Sequence, residues 1–177
     1  MPALDLNAEM LSLLSHMREM ASTAPSLDAL QKGIVEAIAH RLPYCNWTGF
    51  YMLDPNDPDT LVLGRYIGDP TPHVRIPVAQ GICGAAAASA QTVLVDDVNA
   101  DPRYLSCSIK TKSEIVVPVF AHGKVIGEID IDSHTHAAFS QIDRKFLEEA
   151  AGVVGAYVES RSVTCPCNPE TTRGTAA

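Results

Sequence analysis

Residues 113–118 read Ser-Glu-Ile-Val-Val-Pro, and residues 127–133 read Gly-Glu-Ile-Asp-Ile-Asp-Ser. In the second run apolar residues alternate with acids. This is the period of a β-strand, and it puts Ile129 and Ile131 on the face opposite the carboxyl groups. Aspartate and glutamate are depleted in strands, so a column of them on one face needs a reason. The two runs therefore predict neighbouring strands whose acidic face is turned either to solvent, as in an ordinary antiparallel sheet, or to a cavity.

Four further strand patterns precede these two runs, and most are separated by turns rich in Gly, Pro, Asn and Asp. Such short, hairpin-length connections indicate antiparallel pairing between successive strands. The predicted strands cover residues 46–53, 60–67, 73–77, 92–95, 113–121 and 124–132.

Apolar residues at helical spacing predict helices at both ends of the chain and one short helix between strands. Ser26 fits the N-cap of the second helix, and Ser140 with Asp143 fits a capping box that opens the last one. The predicted helices cover residues 5–22, 27–42, 81–91 and 141–158.

Terminal helices around an antiparallel sheet of about six strands predict an α+β fold, with the N- and C-terminal helices packed on one face of the sheet. A length of 177 residues fits one domain, which we expect to cover residues 1–163. Residues 164–177 have no periodic apolar face, so we expect a disordered tail.

The formal charge of −8 argues against nucleic acid and anionic membranes as partners. The sequence has neither an apolar run of about 18 residues nor a charged-then-apolar leader, so we predict no membrane span and no signal peptide. These features indicate a cytoplasmic protein.

The chain has five cysteines, a number that in a reducing compartment indicates buried fillers, metal ligands or redox groups. Cys107 lies in a long polar loop at 96–112, where packing explains it poorly, so a functional role is favoured. Cys83 precedes Gly84 and several alanines, and two interpretations remain open: a small core residue, or a thiol biased toward thiolate by a helix N-terminus. Cys45 is expected to be buried and inert.

No metal site or cofactor is predicted. Cys165 and Cys167 alone lack the four ligands of a structural zinc site. His134 and His136 are interpreted as surface residues rather than ligands.

Five segments together resemble a known family, the GAF-domain enzymes that reduce free methionine-(R)-sulfoxide. The resemblance covers about residues 11–158, and sensor GAF domains generally lack this set of cysteines and carboxylates. It implies a GAF-like fold and a thiol-dependent oxidoreductase that acts on free methionine sulfoxide. The segments are Asn46–Tyr51, Val74–Pro77, Gly81–Gly84, Ser113–Pro118 and Gly127–Ser133.

For the cysteines, the resemblance implies that Cys107 attacks the sulfoxide and becomes a sulfenic acid, which another cysteine resolves as a disulfide for thioredoxin to reduce. Cys83 matches one resolving position. The family's further cysteine falls where this chain has His73, which cannot form a disulfide. We hypothesise that Cys83 resolves the sulfenic acid, and that Cys165 and Cys167 relay electrons to the disulfide.

For the pocket, the resemblance implies that Glu114, Asp130 and Asp132 bind the substrate and that Trp47 and Tyr51 line the site. Crowded carboxyl groups raise one another's pKa, so one of them can supply the proton that activates a sulfoxide while the others bind an ammonium group. Glu114 is counted with Cys107 and Cys83 as catalytic, although the residues alone leave the identity of the donor open. Trp47 and Tyr51 share a face and could equally be core aromatics.

Two alternatives remain open from sequence: a non-catalytic GAF module that senses a small molecule, and a general thiol peroxidase that uses Cys107. A homodimer through the terminal helices is a further expectation, because the first helix has a broad apolar face, although that face could also pack on its own sheet.

Overall fold

Six antiparallel strands form a single sheet in the computed structural model, which describes residues 6–106 and 108–162. Their order across the sheet is 3-2-1-6-5-4, counted along the chain, and every neighbouring pair is antiparallel. The predicted α+β fold with about six strands is confirmed. The strands are β1 (Trp47–Asp54), β2 (Asp57–Ile67), β3 (Arg75–Pro77), β4 (Val93–Val95), β5 (Ser113–Ala121) and β6 (Lys124–Ser133).

The second and the last helix begin at the residues that the capping patterns predict. The Ala29 N–H donates to Ser26 Oγ at 3.1 Å. The Ser140 N–H donates to Asp143 Oδ2 at 2.7 Å while the Asp143 N–H donates back to Ser140 Oγ at 3.3 Å, which confirms the capping box. The helices are α1 (Ala8–Thr23), α2 (Leu27–Arg41), α3 (Gly81–Ser89) and α4 (Gln141–Ser162).

One face of the sheet packs under α1, α2 and α4, as predicted. Ile129 and Ile131 of β6 and Phe50 of β1 point into this layer and are fully buried. The apolar face of α1 is buried in the same core rather than left open, so its amphipathic pattern is explained within one chain. None of the described helices is long and apolar enough to cross a membrane. The buried residues of α1 are Met10, Leu13, Leu14 and Met17.

The opposite face of the sheet is covered by α3 and by residues 96–106 and 108–112. A smaller apolar cluster there joins Ile82 and Ala86 of α3 to Val95 and Val116 of the sheet. Residues 96–112 are not wholly irregular, because Val98–Ala100 form a 3-10 turn. This second face is where the acids of β6 point.

Several sequence predictions fall outside the described residues. Cys107 is one, and Cys165, Cys167 and the expected tail at 164–177 are others. The boundary at residue 163 stays a prediction for the same reason.

Candidate active site

Four carboxyl groups from β5 and β6 come together on the second face of the sheet. Glu114 lies directly across from Asp132 in the β5–β6 pairing, and Asp130 and Glu128 follow on β6 at intervals of two. All four are buried, with exposed fractions from 0% for Glu128 to 5% for Glu114. The acidic face therefore lines the protein interior, and its interpretation as a solvated sheet face is wrong.

These carboxyl groups have few partners. Both oxygens of Glu128 and Oδ1 of Asp130 lack a hydrogen-bond partner among the residues that the structure describes. Thr111 lies beside Asp132 and favours the charged form of its carboxyl group. Within the same described part of the chain, no salt bridge reaches any of the four acids. An uncompensated buried charge is costly, so the cluster favours bound protons or a cation.

The pKa of each acid is raised accordingly. Burial is the largest cause for all four, and it raises the pKa of Asp130 from 3.8 to about 7, partly offset by contact with the Cys83 thiol. For Glu114, burial and then the charges of Asp130, Asp132 and Glu128 raise the pKa well above its ordinary value. The pKa values of Glu128 and Asp132 rise by burial and by the charge of Asp130. Neutral carboxyl groups therefore persist at physiological pH.

Cys83 is the third residue of α3 and packs on this cluster with 6% of its surface exposed. Burial raises the pKa of the Cys83 thiol well above its usual range, and the charges of Asp130, Glu128 and Glu114 raise it further. The expectation that the helix N-terminus favours a thiolate is therefore wrong for this state, because burial beside several acids outweighs the helix dipole.

The start of α3 depends on a glycine. Gly81 has a φ of 73°, and a Cβ there would lie 2.8 Å from Cδ1 of Leu105. A side chain would therefore clash with the segment that covers the site, and glycine also adopts the left-handed backbone without strain.

Trp47 and Tyr51 form an aromatic wall beside the acids. Their rings stack with centroids 6.3 Å apart, and Trp47 also stacks on Tyr66 at 5.4 Å. Gly49, opposite Asp130 on β1, leaves room for the indole, because a Cβ there would lie 2.4 Å from the Trp47 ring. The two aromatics thus share a face, as predicted, and they also line cavities.

Two cavities lie along this wall. The larger, about 130 Å³, is lined by Trp47, Asp132, Ser108 and Lys110, among others. The smaller is lined by Tyr51, His73, Cys83, Leu105, Glu114 and Asp130.

The chain on both sides of position 107 borders these cavities. Leu105 lines the smaller one and Ser108 the larger one. Cys107 itself lies outside the described residues. The structure therefore brings together Trp47, Tyr51, Cys83, Glu114, Asp130 and Asp132, six of the seven residues that the sequence singled out.

The roles of two residues in this region could not be recognised from the sequence. His73 was treated only as a missing cysteine, yet its Nε2 lies 3.2 Å from the Ser106 carbonyl oxygen and its own carbonyl accepts from the Tyr51 hydroxyl at 2.7 Å. It therefore ties β1 to the segment before position 107. Glu128 was placed in the acidic column but not in the site, although it has the same parity as Asp130 and Asp132.

The expected burial of Cys45 and the expected exposure of His134 and His136 are confirmed. Cys45 is buried in the helical core, and burial raises the pKa of its thiol. His134 and His136 are exposed. A metal ion is a further candidate occupant of the cluster, since ligand atoms of Cys83, Glu114 and Asp130 lie within 4.8 Å of one another.

Comparison with known proteins places the chain in a family. The GAF domain model matches residues 26–158. The free methionine-R-sulfoxide reductase of Escherichia coli K12 is 34% identical over 145 residues, which is 82% of this chain and 81% of that protein. The Saccharomyces cerevisiae protein of the same name is 40% identical over 110 residues, 62% of this chain and 61% of its own length.

A solved structure extends the comparison to three dimensions. The X-ray structure of free methionine-R-sulfoxide reductase from Neisseria meningitidis in complex with its substrate is 32% identical to this chain, with a TM-score of 0.82. The alignment covers 93% of this chain and 100% of the Neisseria chain.

Proposed function

The chain belongs to the GAF-domain free methionine-(R)-sulfoxide reductase family, and from this membership we propose that it reduces free L-methionine-(R)-sulfoxide to methionine by thiol chemistry. The observation that carries the proposal is the buried cluster of four carboxyl groups against the Cys83 thiol, with no salt bridge from the described residues. A free amino acid brings an ammonium group that neutralises such a cluster. The sulfoxide oxygen of free methionine sulfoxide can also accept a proton from the cluster.

Substrate binding uses the acids and the aromatic wall. Asp130 and Asp132 hold the ammonium group, because a charge pair inside a dry site is stronger than the same pair in water. Trp47 and Tyr51 contact the methyl-sulfur end. A peptide-bound methionine sulfoxide lacks the free ammonium, so it leaves the buried charges unpaired and is excluded.

Activation of the sulfoxide requires a proton. Its sulfur is a weak electrophile until the oxygen is protonated, and the raised pKa of Glu114 keeps that carboxyl able to donate at neutral pH. Glu114 also faces the smaller cavity together with Cys83. It is therefore our choice for the general acid.

In the first chemical step the Cys107 thiolate attacks the substrate sulfur. The oxygen passes to Cys107 as a sulfenic acid, and methionine leaves as the thioether. The cysteine is oxidised by two electrons and the substrate is reduced by two. Leu105 and Ser108 border the cavities on either side of position 107, and their position supports this role for Cys107.

In the second step the Cys83 sulfur attacks the sulfenic sulfur. A disulfide forms, and the hydroxyl leaves as water with one proton. Because burial raises the pKa of Cys83, a neighbouring carboxylate must take the thiol proton as the sulfur attacks. Reduced thioredoxin then returns both cysteines to thiols and leaves with its own disulfide.

The test measures NADPH consumption with thioredoxin and thioredoxin reductase for the free R epimer, the free S epimer and a peptide-bound sulfoxide. We expect turnover of the free R epimer alone. Turnover should be lost in Cys107→Ser and kept in Cys45→Ser, which replaces a cysteine of the helical core. Release of one methionine per chain without continued NADPH consumption would support the first chemical step and exclude thioredoxin as the reductant. No methionine at all would favour a sensor.

The resolving role of Cys83 is tested separately. After one turnover without reductant, mass spectrometry of Cys83→Ser should show a persistent Cys107 sulfenic acid or its trapped adduct. A normal intramolecular disulfide in that variant would assign the resolving role to another cysteine.

A further inference from the structure

Three metal-ligand atoms converge in the smaller cavity from three different elements. They are Sγ of Cys83 on α3, a carboxyl oxygen of Glu114 on β5 and one of Asp130 on β6, all within 4.8 Å of one another. A zinc ion binds sulfur at about 2.3 Å and carboxylate oxygen at about 2.0–2.2 Å. Its tetrahedral ligands therefore lie about 3.5 Å apart, so shifts of about 1 Å would close these side chains around an ion.

Unpartnered carboxyl oxygens point independently to a bound cation. Glu128 is fully buried, both of its oxygens lack a partner among the described residues, and its carboxyl contacts the Cys83 thiol. Buried acceptors without donors are rare in folded proteins, and a cation satisfies them. Asp130, one of the three converging ligands, is in the same condition, because its Oδ1 lacks a partner among the described residues, so the site itself holds an acceptor that a cation would satisfy.

We propose that the reduced protein binds one zinc ion through Cys83, Glu114 and Asp130. The ligand set selects the metal, because thiolate favours zinc whereas magnesium and calcium prefer six or more oxygen ligands, including water, that a small dry cavity cannot supply. Binding joins zinc to the Cys83 sulfur and to the two carboxylates, and it releases to solvent the thiol proton and any proton that Glu114 or Asp130 carried. No electron is transferred.

The consequence for activity rests on the proposed function. A bound zinc ion occupies Asp130, which holds the substrate ammonium, and Glu114, which donates the proton, and it uses the sulfur that resolves the sulfenic acid. Zinc therefore inhibits turnover reversibly. A chelator added before the assay restores activity without prior treatment of the protein with a thiol reductant, which separates this inhibition from oxidation of Cys83.

The test is a titration of reduced full-length protein with Zn²⁺ against a chromophoric chelator, with no sulfoxide present. We expect one high-affinity site per chain, weakened at least tenfold in Cys83→Ser and in Asp130→Asn. Cys45→Ser, which removes the other buried cysteine of the described chain, should leave it unchanged. The double change Cys165→Ser, Cys167→Ser should also leave it unchanged.

The opposite pattern overturns the proposal: affinity unchanged by Cys83→Ser, or lost with Cys107 or the two tail cysteines. Titration with Co²⁺ adds a signature, because thiolate ligation gives near-ultraviolet absorption that must vanish in Cys83→Ser. If that variant does not fold, alkylation of the wild type decides. One equivalent of zinc should protect Cys83, and equal labelling with and without zinc would refute the site.

Failure of the zinc site and failure of the reductase are distinguishable, because the titration contains neither substrate nor thioredoxin. Zinc bound at Cys83 in a protein without sulfoxide turnover would support the zinc site and contradict the proposed reaction. Turnover in a protein that binds no zinc would do the reverse.

Discussion

Asp130 shows most clearly what burial does to the carboxyl groups of the cluster. Its carboxyl lies next to the Cys83 thiol, has one oxygen without a partner in the described chain, and has a pKa raised to about 7. A single substitution there tests both the electrostatics and the stability of the site.

The stability of the metal-free protein should fall as pH rises. Because the folded-state pKa of Asp130 is raised from 3.8 to about 7, the folded protein keeps a proton that the unfolded chain loses. The stabilisation is fully present below about pH 4 and is lost as pH rises through about 7, up to about 4 kcal/mol at 1.36 kcal/mol per pKa unit. Urea unfolding in chelator should show this slope, and Asp130→Asn should flatten it. Equal slopes in both proteins would show that Asp130 is not the titrating group.

Gly49 is the residue on which the aromatic wall depends. A Cβ at this position would lie 2.4 Å from the Trp47 ring and 2.8 Å from Cβ of Tyr66. Gly49→Ala should therefore displace the indole, cost about 1–3 kcal/mol of unfolding free energy and raise the KM for the sulfoxide. Calorimetry and steady-state kinetics measure the two effects.

The matched control is Gly152→Ala, since a Cβ at that helical position meets nothing within 4 Å. It should leave KM unchanged and stabilise α4 by about 0.5–1 kcal/mol. Similar KM values for the two variants would contradict the proposed contact between Trp47 and the substrate.

At the scale of elements, the seating of α3 determines where Cys83 lies. Gly84 lets this helix approach β3, because a Cβ there would lie 2.6 Å from the Pro77 carbonyl oxygen. Backbone cannot yield as a flexible side chain can, so the helix itself must shift when this glycine is replaced.

Gly84→Ala should therefore lift α3 and expose Cys83. We expect alkylation of Cys83 to accelerate at least tenfold while Cys45, in the separate helical core, reacts at its wild-type rate. Peptide mass spectrometry after timed labelling gives both rates. Equal acceleration at the two cysteines would indicate general destabilisation instead of a local shift of α3.

The elements themselves were predictable because their signals are local. Alternation gave β5 and β6 to within one residue, and Ser26 and Ser140 marked the helix starts. What covers a sheet face is not local. Alternation put Glu128, Asp130 and Asp132 on one face, but only the packing of α3 and of residues 96–106 and 108–112 showed that this face is dry. The same nonlocal burial reversed the expected shift in the pKa of Cys83.

At the scale of the whole molecule, the two faces of the sheet have different tasks. The face under α1, α2 and α4 is apolar and stabilises the fold, whereas the opposite face buries uncompensated acids at a cost in stability. Sites of function commonly break local folding rules in this way while the rest of the protein compensates.

Reduction of the proposed disulfide can involve distant parts of the chain. His73 stands where the family that the sequence resembles has a further cysteine, so that cysteine is missing here. If Cys165 and Cys167 relay electrons to the disulfide, replacing both with serine should slow thioredoxin-dependent turnover several-fold. Methionine release in a single turnover, which precedes recycling, should be unchanged. Identical steady-state rates in the two proteins would show that thioredoxin reaches the disulfide directly.

The aromatic wall also gives the protein an optical probe. Trp47 is its single tryptophan, and the indole N–H donates to the Asp69 carbonyl at 3.1 Å beside the larger cavity. Intrinsic fluorescence excited at the indole band thus originates from this one place. Ligand entry can be followed by emission without a label, and the rate of entry can be timed by stopped flow before any bond to sulfur changes.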